Sequence, residues 1–140
     1  MELRMRTRMF AVLVAGAALS VAACGGSDSS SPSVTSVQGT YIGSYTGTIQ
    51  PGVVYQGVLQ LTQNGNAVTG TLTTNAGRSA SVSGSVSAGR ITATFTYTDS
   101  CKGTASSTAD IGSGGSTLVG NYTTTDCLGQ YSGGYSLTKQ

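Results

Sequence analysis

Histidine and tryptophan are absent from the sequence, and the single glutamate is Glu2. Histidine and glutamate are the side chains that most often move protons near neutral pH, so a general acid–base enzyme is not expected here. Two cysteines remain beyond residue 24, and without a histidine they make a poor zinc site. The sequence therefore predicts no enzyme activity, no catalytic residue, no metal site and no cofactor.

Charge is also scarce, at 9% of the chain, and the formal net charge of +2 comes from the N-terminus. The charged residues after position 23 balance each other and are Arg78, Arg90, Lys102, Lys139, Asp28, Asp99, Asp110 and Asp126. Because a nucleic-acid partner requires a basic surface, we expect none. Few charges combined with many Thr, Val and Tyr residues favour β-strands over helices or disorder.

The N-terminus has the three parts of an export signal. An arginine-rich stretch over residues 1–9 precedes an uncharged, mostly apolar run over residues 10–23, which ends in small residues before Cys24. This pattern defines a secretory signal. The apolar run is shorter than the roughly 20 residues that an ordinary transmembrane helix needs. We therefore predict a signal peptide over residues 1–23.

The segment Val21-Ala22-Ala23-Cys24 resembles the lipobox of bacterial lipoproteins. The resemblance implies cleavage before Cys24 and attachment of acyl chains such as palmitate, which anchor the protein to a membrane; each buried methylene contributes about 0.8 kcal/mol. By resemblance to enterobacterial sorting, Gly25 favours the outer membrane, with the domain facing the periplasm or exposed at the surface. A plain cleaved signal followed by an incidental cysteine is the alternative.

Residues 24–38 are rich in Ser and Gly and predict a flexible linker behind the lipidated Cys24. The thirteen residues 25–37 of this segment span roughly 20 Å. The remaining cysteines, Cys101 and Cys127, form an even pair in an exported chain, where disulfides persist. We therefore predict a Cys101–Cys127 disulfide within a domain that covers residues 39–140.

From Gly39 onward, apolar or small residues alternate with Thr, Ser and Gln, which is the period of half-buried strands. Turn signals such as Pro51-Gly52 separate the runs and divide the chain into eight strands. The predicted fold class is all-β, an eight-stranded antiparallel up-and-down meander barrel, with a β-sandwich as the alternative. In the meander, the loops that carry Cys101 and Cys127 lie at the same end.

The sequence Gly39-Thr40-Tyr41 at the first strand, together with the eight-strand meander, resembles the lipocalin and avidin class of calycin-like barrels. Those families usually have tryptophan where Tyr41 stands. Avidins hold biotin with several tryptophans, so biotin binding is unsupported in this chain. The resemblance implies a small barrel of the kind that many Gly- and Thr-rich bacterial lipoproteins carry.

The aromatic residues offer a candidate binding site, because their strand phase places them on the inward face. The candidate ligand-lining residues are Tyr41, Tyr45, Phe95, Tyr97, Tyr122, Tyr131 and Tyr135. An eight-stranded interior is filled by side chains or holds one small ligand, and both possibilities remain open. Asp99 and Asp126 flank the cysteines. We interpret them as solvated residues that cap turns rather than as a cation or acid site. Arg78 and Lys102 lie near the same end and partly neutralise them.

Two functions are compatible with these features. The first is a lipid-anchored, non-enzymatic, lipocalin-like domain of the cell envelope that binds a small apolar or amphipathic molecule. The alternative is a structural or protein-interaction module with a filled barrel and no ligand. An internal cavity beside the tyrosines would distinguish the first from the second.

Overall fold

The computed structural model describes residues 33–140. The signal peptide predicted over residues 1–23 and the lipidation predicted at Cys24 lie outside the described residues. Among residues 33–140, no helix is long and apolar enough to cross a membrane. The strands are β1 (Gly39–Gly47), β2 (Tyr55–Asn64), β3 (Ala67–Thr74), β4 (Ser79–Ser87), β5 (Arg90–Tyr97), β6 (Gly103–Ile111), β7 (Thr117–Asp126) and β8 (Gly129–Lys139), with a short 3-10 turn at Ser113–Gly115 between β6 and β7.

The eight strands form a closed barrel in which every strand pairs antiparallel with its neighbours in sequence. The barrel is closed by the pairing of β1 with β8. Tyr41 is opposite Lys139 at one end of this pairing, and Gly47 is opposite Gly133 at the other. Closing the sheet removes its two exposed edges, which is how small antiparallel proteins avoid edge-to-edge association. The predicted eight-stranded up-and-down barrel is confirmed, and the alternative β-sandwich is not formed.

Alternation within the strands determines which side chains face the interior. Strand β5 is the clearest case, since Ile91, Ala93, Phe95 and Tyr97 are buried and the threonines between them are exposed. The same period places the buried residues of the other strands inside the barrel. Burying this apolar surface is the main stabilising contribution, at about 25 cal/mol per Å² removed from water.

Glycines at inward positions allow the strands to approach and curve tightly enough to close so small a barrel. A Cβ at Gly84 or Gly120 would collide with the backbone of the neighbouring strand, β5 or β6 respectively. Glycine within a strand usually marks such a bend or close backbone approach. Gly57 differs, because its Cβ would find only ordinary contact with Leu72 at 3.5 Å. The interior beside Gly57 therefore has spare room.

One end of the barrel, which we call the closed end, is sealed by residues before β1 and by the 3-10 turn. Val37 is completely buried there, and its backbone N–H donates to Gln63 Oε1 at 2.7 Å. Tyr41 is also completely buried and donates its hydroxyl proton to the Gly115 carbonyl at 2.6 Å. Residues 33–38, the last part of the predicted linker, thus pack against the barrel through Val37.

Candidate functional site

The opposite end, which we call the open end, leads into a cavity of about 90 Å³. The ends of β1, β3, β5 and β7 and the starts of β2, β4, β6 and β8 meet here. The cavity is lined mainly by aromatic and aliphatic side chains, which are Tyr45, Leu59, Leu72, Phe95, Tyr97, Tyr122, Tyr131, Tyr135 and Leu137, with Gly57, Thr74, Arg78 and Ala105 completing the wall.

Six of the seven predicted ligand-lining residues line this single cavity: Tyr45, Phe95, Tyr97, Tyr122, Tyr131 and Tyr135. Tyr41 is the exception, since it lies at the closed end and bonds to Gly115. Its strand phase is inward, as predicted, but phase does not specify position along the barrel axis. Whether the six residues bind a ligand stays a prediction.

Arg78 lies at the mouth of the cavity and joins three loops of the open end. Its Nε donates to Asp99 Oδ2 at 2.9 Å, and its Nη1 donates to Asp126 Oδ2 at 2.8 Å. Its Nη2 donates to the Cys101 carbonyl at 2.9 Å. The guanidinium also lies over the ring of Tyr97, 3.9 Å from the centroid. Planar, charge-assisted contacts of this kind fix a side chain firmly in place.

The electrostatics of this cluster favour the charged forms of its members. Burial opposes ionisation of Asp126, but hydrogen bonds from Arg78, a backbone N–H and a tyrosine hydroxyl outweigh it and lower the pKa. The backbone N–H of Ser79, followed by Arg78, lowers the pKa of Asp99 despite the opposing effect of burial. Burial likewise opposes the charge on Arg78, yet the two carboxylates raise its pKa. These groups are therefore unsuited to exchanging protons near neutral pH.

The interpretation of the two aspartates as solvated turn caps is wrong for Asp126, although both residues do cap turns. Asp99 Oδ1 accepts the Cys101 N–H and Asp126 Oδ1 accepts the Leu128 N–H, each at 2.8 Å. The side chain of Asp126, however, is 0% exposed. Burial of that carboxylate is possible because Arg78 neutralises it.

Cys101 and Cys127 lie at disulfide distance, with Cα atoms 5.2 Å apart, as the sequence predicts. They join the β5–β6 loop to the β7–β8 loop at the open end. Asp126 lies close to both sulfur atoms, but sulfurs joined to each other offer no thiolate to a metal ion. We therefore assign this group a structural role that braces the mouth.

The tyrosine hydroxyls around the cavity are engaged by the protein itself. Tyr122 donates to the Thr46 carbonyl at 2.9 Å, and Tyr131 donates to Asp126 Oδ2 at 2.8 Å. The Tyr135 hydroxyl lies 2.6 Å from Ser107 Oγ, and the Tyr97 hydroxyl lies 3.3 Å from Thr124 Oγ1. What these four residues present to the cavity is therefore ring surface.

The phenols are held in their neutral form. Burial raises the pKa of Tyr122 to about 12, with smaller contributions from neighbouring tyrosines. Burial is also the largest cause of the raised pKa of Tyr45, Tyr131 and Tyr135. These four phenols are thus uncharged over the whole physiological range, and Arg78 is the charged side chain of the cavity wall.

Sequence reasoning did not assign Arg78 to the cavity wall. The signal was available, because Arg78 lies two residues before the buried Ala80 and so has the inward strand phase. Charged residues are normally placed outside, and only the loops that carry Asp99 and Asp126 make the inward position acceptable. Those partners lie 21 and 48 residues away along the chain, beyond the reach of a local pattern.

Comparison with models of known protein families and with curated proteins finds no match.

Proposed function

We propose that this protein is a lipid-anchored, non-enzymatic barrel of the cell envelope that binds a small apolar or amphipathic molecule at its open end. The observation that carries the proposal is the cavity of about 90 Å³ at the open end, which is walled mainly by aromatic and aliphatic side chains. Small-molecule sites are typically concave and mostly apolar, with a few fixed polar groups.

The position of Val37 supports an orientation for the anchored protein. Val37 is buried at the closed end, so the described part of the chain enters the barrel there, downstream of Cys24 in the sequence. A lipid on Cys24 places the closed end nearer the membrane and leaves the cavity mouth facing away from it. A ligand then enters from the aqueous side without passing the anchor.

The polar groups of the site support binding rather than catalysis. Arg78 is paired with two carboxylates. The hydroxyls of Tyr122 and Tyr131 donate hydrogen bonds to oxygen atoms of the protein. Groups that are already paired and have pKa values displaced away from neutrality neither accept nor release protons readily. They fix the shape of the mouth instead.

The anchor is tested by growth with an alkyne-labelled fatty acid in a bacterial host. We expect the label on the wild-type chain and on the Cys101→Ser/Cys127→Ser variant, because lipidation uses Cys24 alone. The Cys24→Ser variant should carry no label. Label that persists on Cys24→Ser contradicts the proposed anchor.

The binding function is tested by native mass spectrometry of the protein purified from a bacterial membrane. The expected result is an added mass that is lost in Gly57→Ala, because the Cβ enters the cavity with only an ordinary contact to Leu72. The matched control is Gly134→Ala, whose Cβ also meets only ordinary contacts, the nearest at 3.5 Å, and which lies outside the cavity wall.

The alternative function, a module with a filled barrel that meets a protein partner, is favoured by one observation. The cavity is smaller than the roughly 300–1,000 Å³ of typical drug-sized sites. An unmodified mass for wild type and for both glycine variants would support this alternative and contradict a ligand.

A further inference from the structure

The rings at the open end form a cage rather than a single stack. Tyr45 stacks on Tyr55 with centroids 5.2 Å apart and meets Tyr122 edge-on at 6.4 Å. Further rings of the cavity wall are Phe95, Tyr97, Tyr131 and Tyr135. The face of an aromatic ring carries partial negative charge, so rings that surround one space attract a positive charge that meets their faces.

The cage already holds one cation. The Arg78 guanidinium lies 3.9 Å from the centroid of the Tyr97 ring. That contact is an example, within this wall, of the geometry in which aromatic faces bind organic cations. It leaves the rings of Tyr45, Tyr122 and Tyr135 around the remaining space.

The fixed charges beside the cage also favour a cation. Arg78 is paired with both Asp99 and Asp126, so this cluster carries one more negative than positive charge. The other cation of these loops, Lys102, is exposed and donates to the Thr98 carbonyl. Solvent screens its charge more than it screens the Asp126 carboxylate, which is buried beside the cavity.

The size of the cavity limits what enters it. The cavity of about 90 Å³ is well below the roughly 300–1,000 Å³ of sites that hold drug-sized molecules. A compact head group with a few heavy atoms fits that space, and the rest of the molecule remains in the mouth. Since the hydroxyls of Tyr122, Tyr131 and Tyr135 have protein partners, recognition depends on ring faces and charge.

We propose that the aromatic cage at the open end binds the alkylated ammonium group of a small organic cation. This inference rests on the proposed binding function and specifies its ligand class. It requires no covalent step.

The test compares choline with 3,3-dimethylbutan-1-ol, which has the same shape but no charge, by isothermal titration of the full chain. We expect choline to bind at least about tenfold more tightly, which is the magnitude of a desolvated cation–π contact. Tyr45→Leu should weaken choline binding about tenfold, whereas Tyr45→Phe, which keeps the ring, should stay within about threefold of wild type.

The outcomes separate this inference from the proposed function. Equal binding of the two probes, or binding of the neutral probe alone, overturns the cation inference and leaves the binding function standing. Equal loss of both probes in Tyr45→Leu shows collapse of the site rather than loss of a cation contact and also overturns the inference. If neither probe binds, the inference fails, and the Gly57→Ala mass measurement decides the binding function separately.

Discussion

The two ends of this barrel are built from the same strands but differ in how they fill the interior. At the closed end, Val37, Tyr41, Val68, Val86 and Leu118 are fully buried, and a 3-10 turn covers them. At the open end four of the five inward tyrosines, Tyr45, Tyr122, Tyr131 and Tyr135, are only partly buried, and a cavity remains between them. The closed end is therefore expected to hold the fold together, and the open end to hold a ligand.

The open end compensates for its incomplete core with cross-links. The Cys101–Cys127 pair and the Arg78 ion pairs join the loops that its apolar contacts do not hold. A small domain has only about 5–15 kcal/mol of net stability, so such links are a large share of the total.

Removing the cross-link should have the largest effect. The variant Cys101→Ser/Cys127→Ser opens a loop whose ends are 26 residues apart. We expect the free energy of unfolding to fall by about 3.5 kcal/mol because the unfolded chain gains loop entropy. Hydrogen exchange should show the loss of protection mainly in β6 and β7 near the mouth. A uniform loss of protection at both ends would contradict the proposed division.

Removing a buried side chain from the closed end should lower the free energy of unfolding by nearly as much. Leu118→Ala removes a fully buried side chain and should lower the free energy of unfolding by about 3 kcal/mol, measured by urea denaturation. Ligand binding at the open end should be retained in the folded fraction. The control Leu128→Ala removes a leucine that is 61% exposed, and the expected change is below about 0.5 kcal/mol.

Removing one tyrosine hydroxyl at each end should also change the free energy of unfolding more at the closed end than at the open end, by a smaller amount. Tyr41→Phe leaves the buried Gly115 carbonyl without its donor and should cost about 1.5 kcal/mol. Tyr55→Phe removes a hydroxyl whose bond to Gln50 is exposed, and we expect almost no change. Equal effects of the two substitutions on the urea midpoint would show that the ends are equivalent.

Mild acid is expected to have the smallest effect on the free energy of unfolding. The pKa values of Asp99 and Asp126 are lowered in the folded state, whereas an unfolded carboxyl group takes its proton near pH 4. Below about pH 4 the unfolded state therefore binds more protons, and stability falls as the pH drops toward the folded pKa values. Above that range the contribution is fully present.

Urea midpoints measured between pH 3 and pH 7 check this expectation. Asp126→Asn should flatten the decline at low pH because one of the titrating groups is gone. Asp110→Asn is the control, because the Arg90–Asp110 pair is exposed and contributes little. An unchanged pH dependence in Asp126→Asn would contradict the role assigned to the mouth cluster.

The fold was predictable because residue type encodes strand phase directly. In β5 the inward residues alternate with threonines, so the sequence alone identifies the buried face, which is formed by Ile91, Ala93, Phe95 and Tyr97. Glycines and turn residues then separate the strands. The position of the cysteines added long-range information, since parity alone places Cys101 and Cys127 at one end.

The remaining features depend on contacts that a local pattern does not contain. Val37 lies in a Ser-rich segment with no periodicity, yet it is completely buried at the closed end. Tyr41 shares the inward phase of Tyr45, but it bonds to the Gly115 carbonyl, 74 residues away along the chain, and that contact is not visible in the strand phase. Arg78 faces inward because residues far along the chain neutralise it.

The most direct test of the proposed difference between the ends is crystallography of the protein under xenon pressure. Xenon enters apolar cavities and is visible as a strong peak in the electron density. We expect a xenon atom in the open-end cavity, between Phe95 and Tyr135, and none beside Val37 and Leu118 at the closed end. A cavity without xenon, or xenon at the closed end, would contradict this expectation.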